Sequence, residues 1–67
     1  MIVYYVRRSD FHRPSSEINH LTTRMSTCRK MDALRNAADS AIVHPGYYYY
    51  VYSGNTQIAQ FYVEEEN

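Results

Sequence analysis

Three histidines, His12, His20 and His44, and a single cysteine, Cys28, are the side chains of this 67-residue chain best suited to nucleophilic or metal chemistry. A thiol at a helix N-terminus is biased toward thiolate, and an imidazole beside it would supply a general base. Cys28 falls on the apolar stripe of a predicted helix, however, where a plain buried cysteine is the commoner arrangement. It is expected to be buried and unreactive. Zinc sites need Cys and His in close pairs, and these four residues are not so spaced. No metal or other cofactor is expected. Two glycines cannot build a Gly-rich phosphate loop. No carboxylate pair sits where a cleft is predicted. The expectation is a protein that is not an enzyme.

The other residues with binding chemistry are arginine and tyrosine. All seven basic residues lie within residues 1–35, against Asp10, Glu17 and Asp32, which leaves that half at +4. Asp39 and Glu64–Glu66 give the remainder −4, so the net charge is zero. Such a split can steer a partner, or it can neutralise itself within the fold. Eight tyrosines are present, five of them in the stretch from His44 to Asn55, HPGYYYYVYSGN. Tyrosine combines large contact area with one hydroxyl and little rotamer entropy, a profile enriched at interfaces. It is also simply a good strand former.

These residues must be placed by a single small domain, residues 1–67 with an acidic tail at 64–67. One cysteine excludes an internal disulfide and suits a reducing compartment. The opening MIVYYVRRSD has too short an apolar stretch for a signal peptide, and its charges follow that stretch. No run is long enough to span a membrane. A cytoplasmic protein is expected.

MIVYYVRR reads as a strand, with Ile2, Tyr4 and Val6 on one face and Val3, Tyr5 and Arg7 on the other. SDFHRPSS is a loop. EINHLTTRM is compatible with helix or strand, and strand is preferred because it gives the first strand a hairpin neighbour. Residues 27–43 are the clearest helix. Ser26 or Thr27 is placed to cap it. Cys28, Met31, Leu34, Ala38, Ala41 and Ile42 recur at three- and four-residue steps as its apolar stripe. The helix should stop before Pro45, with Gly46 turning the chain.

YYYYVYSGNTQIAQFYV is a hairpin around Ser-Gly-Asn. A three-residue turn with a bulge sets Val51 against Ala59, Tyr49 against Phe61 and Tyr47 against Val63, an apolar face for the helix. Gln60 then falls on the opposite side with Tyr48, Tyr50, Tyr52, Ile58 and Tyr62. A two-residue turn shifts the pairing by one and mixes Gln60 into the apolar face. The fold expected is α+β: a small antiparallel or mixed sheet of three to four strands, with one main helix on one face, in ββαββ or βαββ order. One helix covers one face, so the other is expected to stay open or to meet a partner.

Ser26, Ala33, Ala37, Pro45, Gly46, Tyr50 and Val51 carry a resemblance to small phage and mobile-element proteins. In these a Ser/Thr-capped, alanine-rich helix runs into Pro-Gly and an aromatic strand. Arg29-Lys30 stand where such helices usually start with an acidic pair. The resemblance brings no catalytic residues. It implies a protein that binds and blocks one host component, its defence machinery included. The expected contact residues are Tyr5, Arg7, Arg8, Arg13, Tyr48, Tyr50, Tyr52 and Tyr62. The partner is a host protein or complex, with homodimerisation through the same face included. Nucleic acid is the runner-up, because arginines among aromatics can hold phosphates and stack bases. No membrane partner is expected.

Overall fold

The structure, a computed structural model, describes residues 1–12, 17 and 21–66. Among the described residues, four strands and one helix follow in the order β1 (Tyr4–Ser9), β2 (Thr23–Thr27), α1 (Lys30–Val43), β3 (Tyr48–Ser53) and β4 (Thr56–Tyr62). The strands form one antiparallel sheet in the order β2-β1-β3-β4. The expected α+β class in its ββαββ form is what the chain adopts. Among the described residues no helix is long and apolar enough to cross a membrane.

β1 begins at Tyr4 rather than at the chain start, and Ile2 is exposed instead of sharing the core with Tyr4 and Val6. The strand preference for EINHLTTRM holds for Thr23–Met25, and β2 runs on through Ser26 and Thr27. Residues 18–20 of that stretch, and Ser16 before it, lie outside the described residues.

The extension of β2 changes how the helix starts. α1 begins at Lys30, three residues later than expected, with Arg29 as its N-cap and no side-chain cap bond. Thr27 Oγ1 instead accepts from the Arg29 N–H at 3.1 Å, a local turn that leaves β2 for the helix. The end is as expected. His44 N–H closes on Ser40 O at 2.8 Å, Pro45 follows, and Gly46 takes φ +95°. Gly46 N–H donates to Val63 O at 2.9 Å. Glu65 lies against Gly46 so closely that a Cβ there would stand 2.8 Å from its carboxylate oxygen. The acidic run is therefore folded back at this point rather than being only a solvated tail.

The helix buries only part of the stripe expected of it: Ala41 is buried and Leu34 and Ala38 are half-buried, while Met31, Ile42 and Cys28 are not. Its buried residues are Ala33, Ala37 and Ala41, one per turn, with Leu34 half-buried beside them. Met31 and Ile42 are each 66% exposed, and Cys28 precedes the helix and is exposed. The reason is space. Alanine lets the helix axis come down onto the sheet, and the bulk is supplied from below by Val6, Tyr49 and Val51. Close packing rewards the sum of the two surfaces, not the size of one.

The β3–β4 register is the expected one, with Val51 opposite Ala59 and Tyr49 opposite Phe61. The turn that produces it differs. Only Gly54 and Asn55 lie between Ser53 and Thr56, and the register shifts between Val51 and Tyr52, where Ile58 is the extra residue on β4. Gly54 carries the positive φ of +59° while Asn55 does not, the sign pattern of a II′ hairpin turn. A tight turn plus a bulge one step later restores the pairing that a three-residue turn would give. Tyr47 and Val63 sit beyond the ladder and are partly exposed, not core.

Candidate functional site

Alternation along the strands carries Tyr5, Arg7, Tyr48, Tyr50 and Tyr52 to the face away from the helix, as expected. That face is not open. Tyr50 and Tyr52 are 0% and 1% exposed and form a second core, with Tyr5, Leu21 and Tyr48 packed against them. Leu21 comes from the β1–β2 connection, so a residue of that connection packs on the face the helix cannot reach. Tyr50 and Tyr52 are thereby removed from the contact surface expected of them. The physical reason is the area at stake: aromatic side chains of this size are too apolar to leave wet on so small a sheet.

Arg7 lies inside this second core. Its guanidinium carbon stands 5.2 Å from the Tyr5 ring centroid and 5.0 Å from that of Tyr52. Its Nε and Nη1 are buried without a hydrogen-bond partner among the described residues, where the ring faces are the main compensation for its charge. Burial pushes the Tyr52 phenol above its ordinary pKa, Arg7 draws it back, and Tyr50 adds to the rise. Arg7 is a structural cation in this state, not a free hand for a ligand.

The exposed chemistry collects at one end of the sheet, where β1 and β4 finish and β3 begins. Tyr48 stacks on Tyr62 at 4.2 Å, with planes 17° apart, and more distantly on Tyr50 at 6.4 Å. His12 meets the edge of Tyr48 at 5.6 Å. On the helix side of the same end, Arg8 lies 4.7 Å over the Tyr47 ring. A shallow depression lined by Arg8, Ser9, Asp10, Leu21 and Tyr47 opens beside this pair. Ser9 shapes the approach. Its hydroxyl donates to Phe11 O at 2.6 Å and accepts from the Phe11 N–H at 3.3 Å, turning the chain so that Phe11 is left exposed.

Of the eight residues expected to bind, the structure thus brings Arg8, Tyr48 and Tyr62 to this end. It places Tyr5, Arg7, Tyr50 and Tyr52 in the second core, and Arg13 lies outside the described residues. Phe11 and His12, within the Arg7–Arg13 loop expected as the other contact segment, lie at this end, and so does Tyr47, which was not expected there. A signal existed for Tyr47, which directly follows Pro45-Gly46 and so stands where the chain enters the sheet. What this end offers is ring faces, one guanidinium, phenol hydroxyls and an imidazole, a set suited to recognition. Among the described residues no group of three His, Cys, Asp or Glu is placed to hold a metal ion. Cys28, expected to be buried, is exposed with its thiol 2.9 Å from Met1 Sδ, because the helix that was to bury it starts later.

No protein-family model, no curated protein and no solved structure matches this chain.

Proposed function

We propose that the chain is a non-enzymatic protein-binding module, acting in the cytoplasm of a host cell as small phage proteins do, by blocking one host component such as part of its defence machinery. The observation that supports this reading is the exposed aromatic end. Phe11 is 52% exposed, Tyr47 37% and Tyr62 43%, with Arg8 already laid on the Tyr47 ring. Tyr and Arg are the residue types that anchor protein interfaces. Rings held by stacking lose little further freedom when a partner arrives.

The test is a capture experiment from bacterial lysate, followed by titration of the captured protein against variants. Arg8→Ala and Tyr47→Ala should each weaken the complex by about 1–3 kcal/mol while leaving the thermal melt in place. Full affinity in both variants would remove this end from consideration. The alternative, a nucleic-acid-binding domain, draws on the same Arg8–Tyr47 pair and on the basic first half of the chain. It requires binding to oligonucleotides that falls steeply with salt, since neutralised phosphates release counterions.

A further inference from the structure

β4 is a sheet edge whose outer side meets no other strand among the described residues. The opposite edge, β2, is five residues long and carries Arg24. β4 is seven residues long, and from Thr56 to Val63 it holds no charge and no proline. Edge strands are ordinarily defended by such residues. The bulge at Ile58 breaks the strand only near the turn, so Ala59–Tyr62 remain regular.

The exposed flank of the helix lies over the same edge. Gly54 N–H donates to Val3 O at 3.3 Å, so Val3, Tyr5 and Arg7 are the β1 residues bonded to β3, and Tyr4 and Val6 are the non-bonded ones. With L-residues, and with Tyr4 and Val6 facing the helix, that pattern makes the β2–α1–β3 crossover right-handed, the usual hand. A helix running that way, with Ala33, Ala37 and Ala41 down, turns Met31, Leu34, Ala38 and Ile42 toward β4. Leu34 accordingly packs in the cluster that also takes Ala59 and Phe61. Met31 and Ile42, three turns apart, overhang the edge.

We infer that β4 pairs antiparallel with β4 of a second copy, about a two-fold axis at Phe61, to give a continuous eight-stranded sheet with both helices on one side. Phe61 then meets Phe61 of the second copy, Ala59 meets Val63, and Gln60 meets Tyr62. No charged pair is created within Ala59–Val63. The two-fold sets the two helices antiparallel, with the Met31–Ile42 flank of each turned toward the other. The arrangement is isologous and closes on itself. It is argued from the backbone edge of β4 and not from Arg8 and Tyr47, so it does not rest on the proposed partner-binding reading, although Tyr62 belongs to both surfaces.

Sedimentation equilibrium of the full chain, with amide hydrogen exchange at several concentrations, tests this. The wild type should be a dimer at high micromolar concentration, with the Gln60 and Tyr62 amides gaining protection as concentration rises. Gln60→Lys and Ile42→Lys, both at exposed positions, should each give a monomer with unchanged far-ultraviolet circular dichroism. A wild type still monomeric at millimolar concentration overturns the inference. So does a dimer whose β4 amides exchange freely, or one that survives both lysines while both variants stay folded.

Discussion

The two faces of the sheet bury tyrosines by opposite means. Toward the helix, Tyr49 and Val51 are met by three alanines whose small size brings a regular element close. Away from the helix, Tyr50 and Tyr52 are met by Tyr5, Tyr48 and Leu21 around a guanidinium, with Leu21 supplied by the β1–β2 connection. Neighbouring residues of one strand are thus equally buried in unlike surroundings. A domain this short gains from both, since a chain of such length buries only about 60% of its unfolded surface. The difference teaches that burial on the first face depends on a fit between rigid surfaces, and on the second on the docking of a loop.

The largest effect that would break the comparison is truncation on each side of β3. Tyr49→Ala and Tyr50→Ala should each destabilise by about 3–5 kcal/mol in urea unfolding, as buried aromatics do. A cost under ~1 kcal/mol for Tyr50→Ala would mean that the second face is open in solution and that the connection does not cover it.

A smaller change sharpens it. Ala37→Leu adds volume where the helix meets the sheet, and overpacking of this kind costs about 1–3 kcal/mol. Met31→Ala, on the same helix but exposed, should stay within about 0.5 kcal/mol for the monomer. Equal losses in the two variants would contradict the alanine face. The readout is again the urea midpoint.

The smallest effect is specific to the second face. The folded-state pKa of Tyr52 is raised above its usual value near 10.0. Below that value both folded and unfolded states keep the phenol protonated, and the contribution is complete. As pH climbs past it the unfolded chain ionises first, so stability is lost up to the folded pKa. Melting temperature should fall above pH ~10, and Tyr52→Phe should flatten the decline. An equal slope in Tyr52→Phe would assign the loss to other groups.

Much of this organisation is legible before any coordinates. The β3–β4 register follows from keeping Gln60 off the apolar face, and the helix from its periodicity and from Pro45. The helix face is not legible in the same way. Met31, Leu34 and Ile42 outweigh Ala33, Ala37 and Ala41 on any hydrophobic count, yet close approach selects the smaller residues. The second core is hidden for a different reason. Alternation assigns Tyr50 and Tyr52 to a face, but whether a loop closes over that face is decided by tertiary contacts such as Leu21. Cys28 illustrates boundaries. Two residues of extra strand, Ser26 and Thr27, with a helix that starts three residues later, move it from a helix stripe to an exposed link.

The strand order β2-β1-β3-β4 has a kinetic consequence. Each hairpin, β1–β2 and β3–β4, joins strands near in sequence, but the central seam joins β1 from the chain's start to β3 from its far end. Closing that seam must organise the intervening helix and carries the largest loop-closure entropy. Contact order of this kind slows folding relative to helical domains of equal length. Substitutions at Val6 and Val51, which face each other across the seam, should therefore retard folding more than substitutions confined to the Gly54 turn.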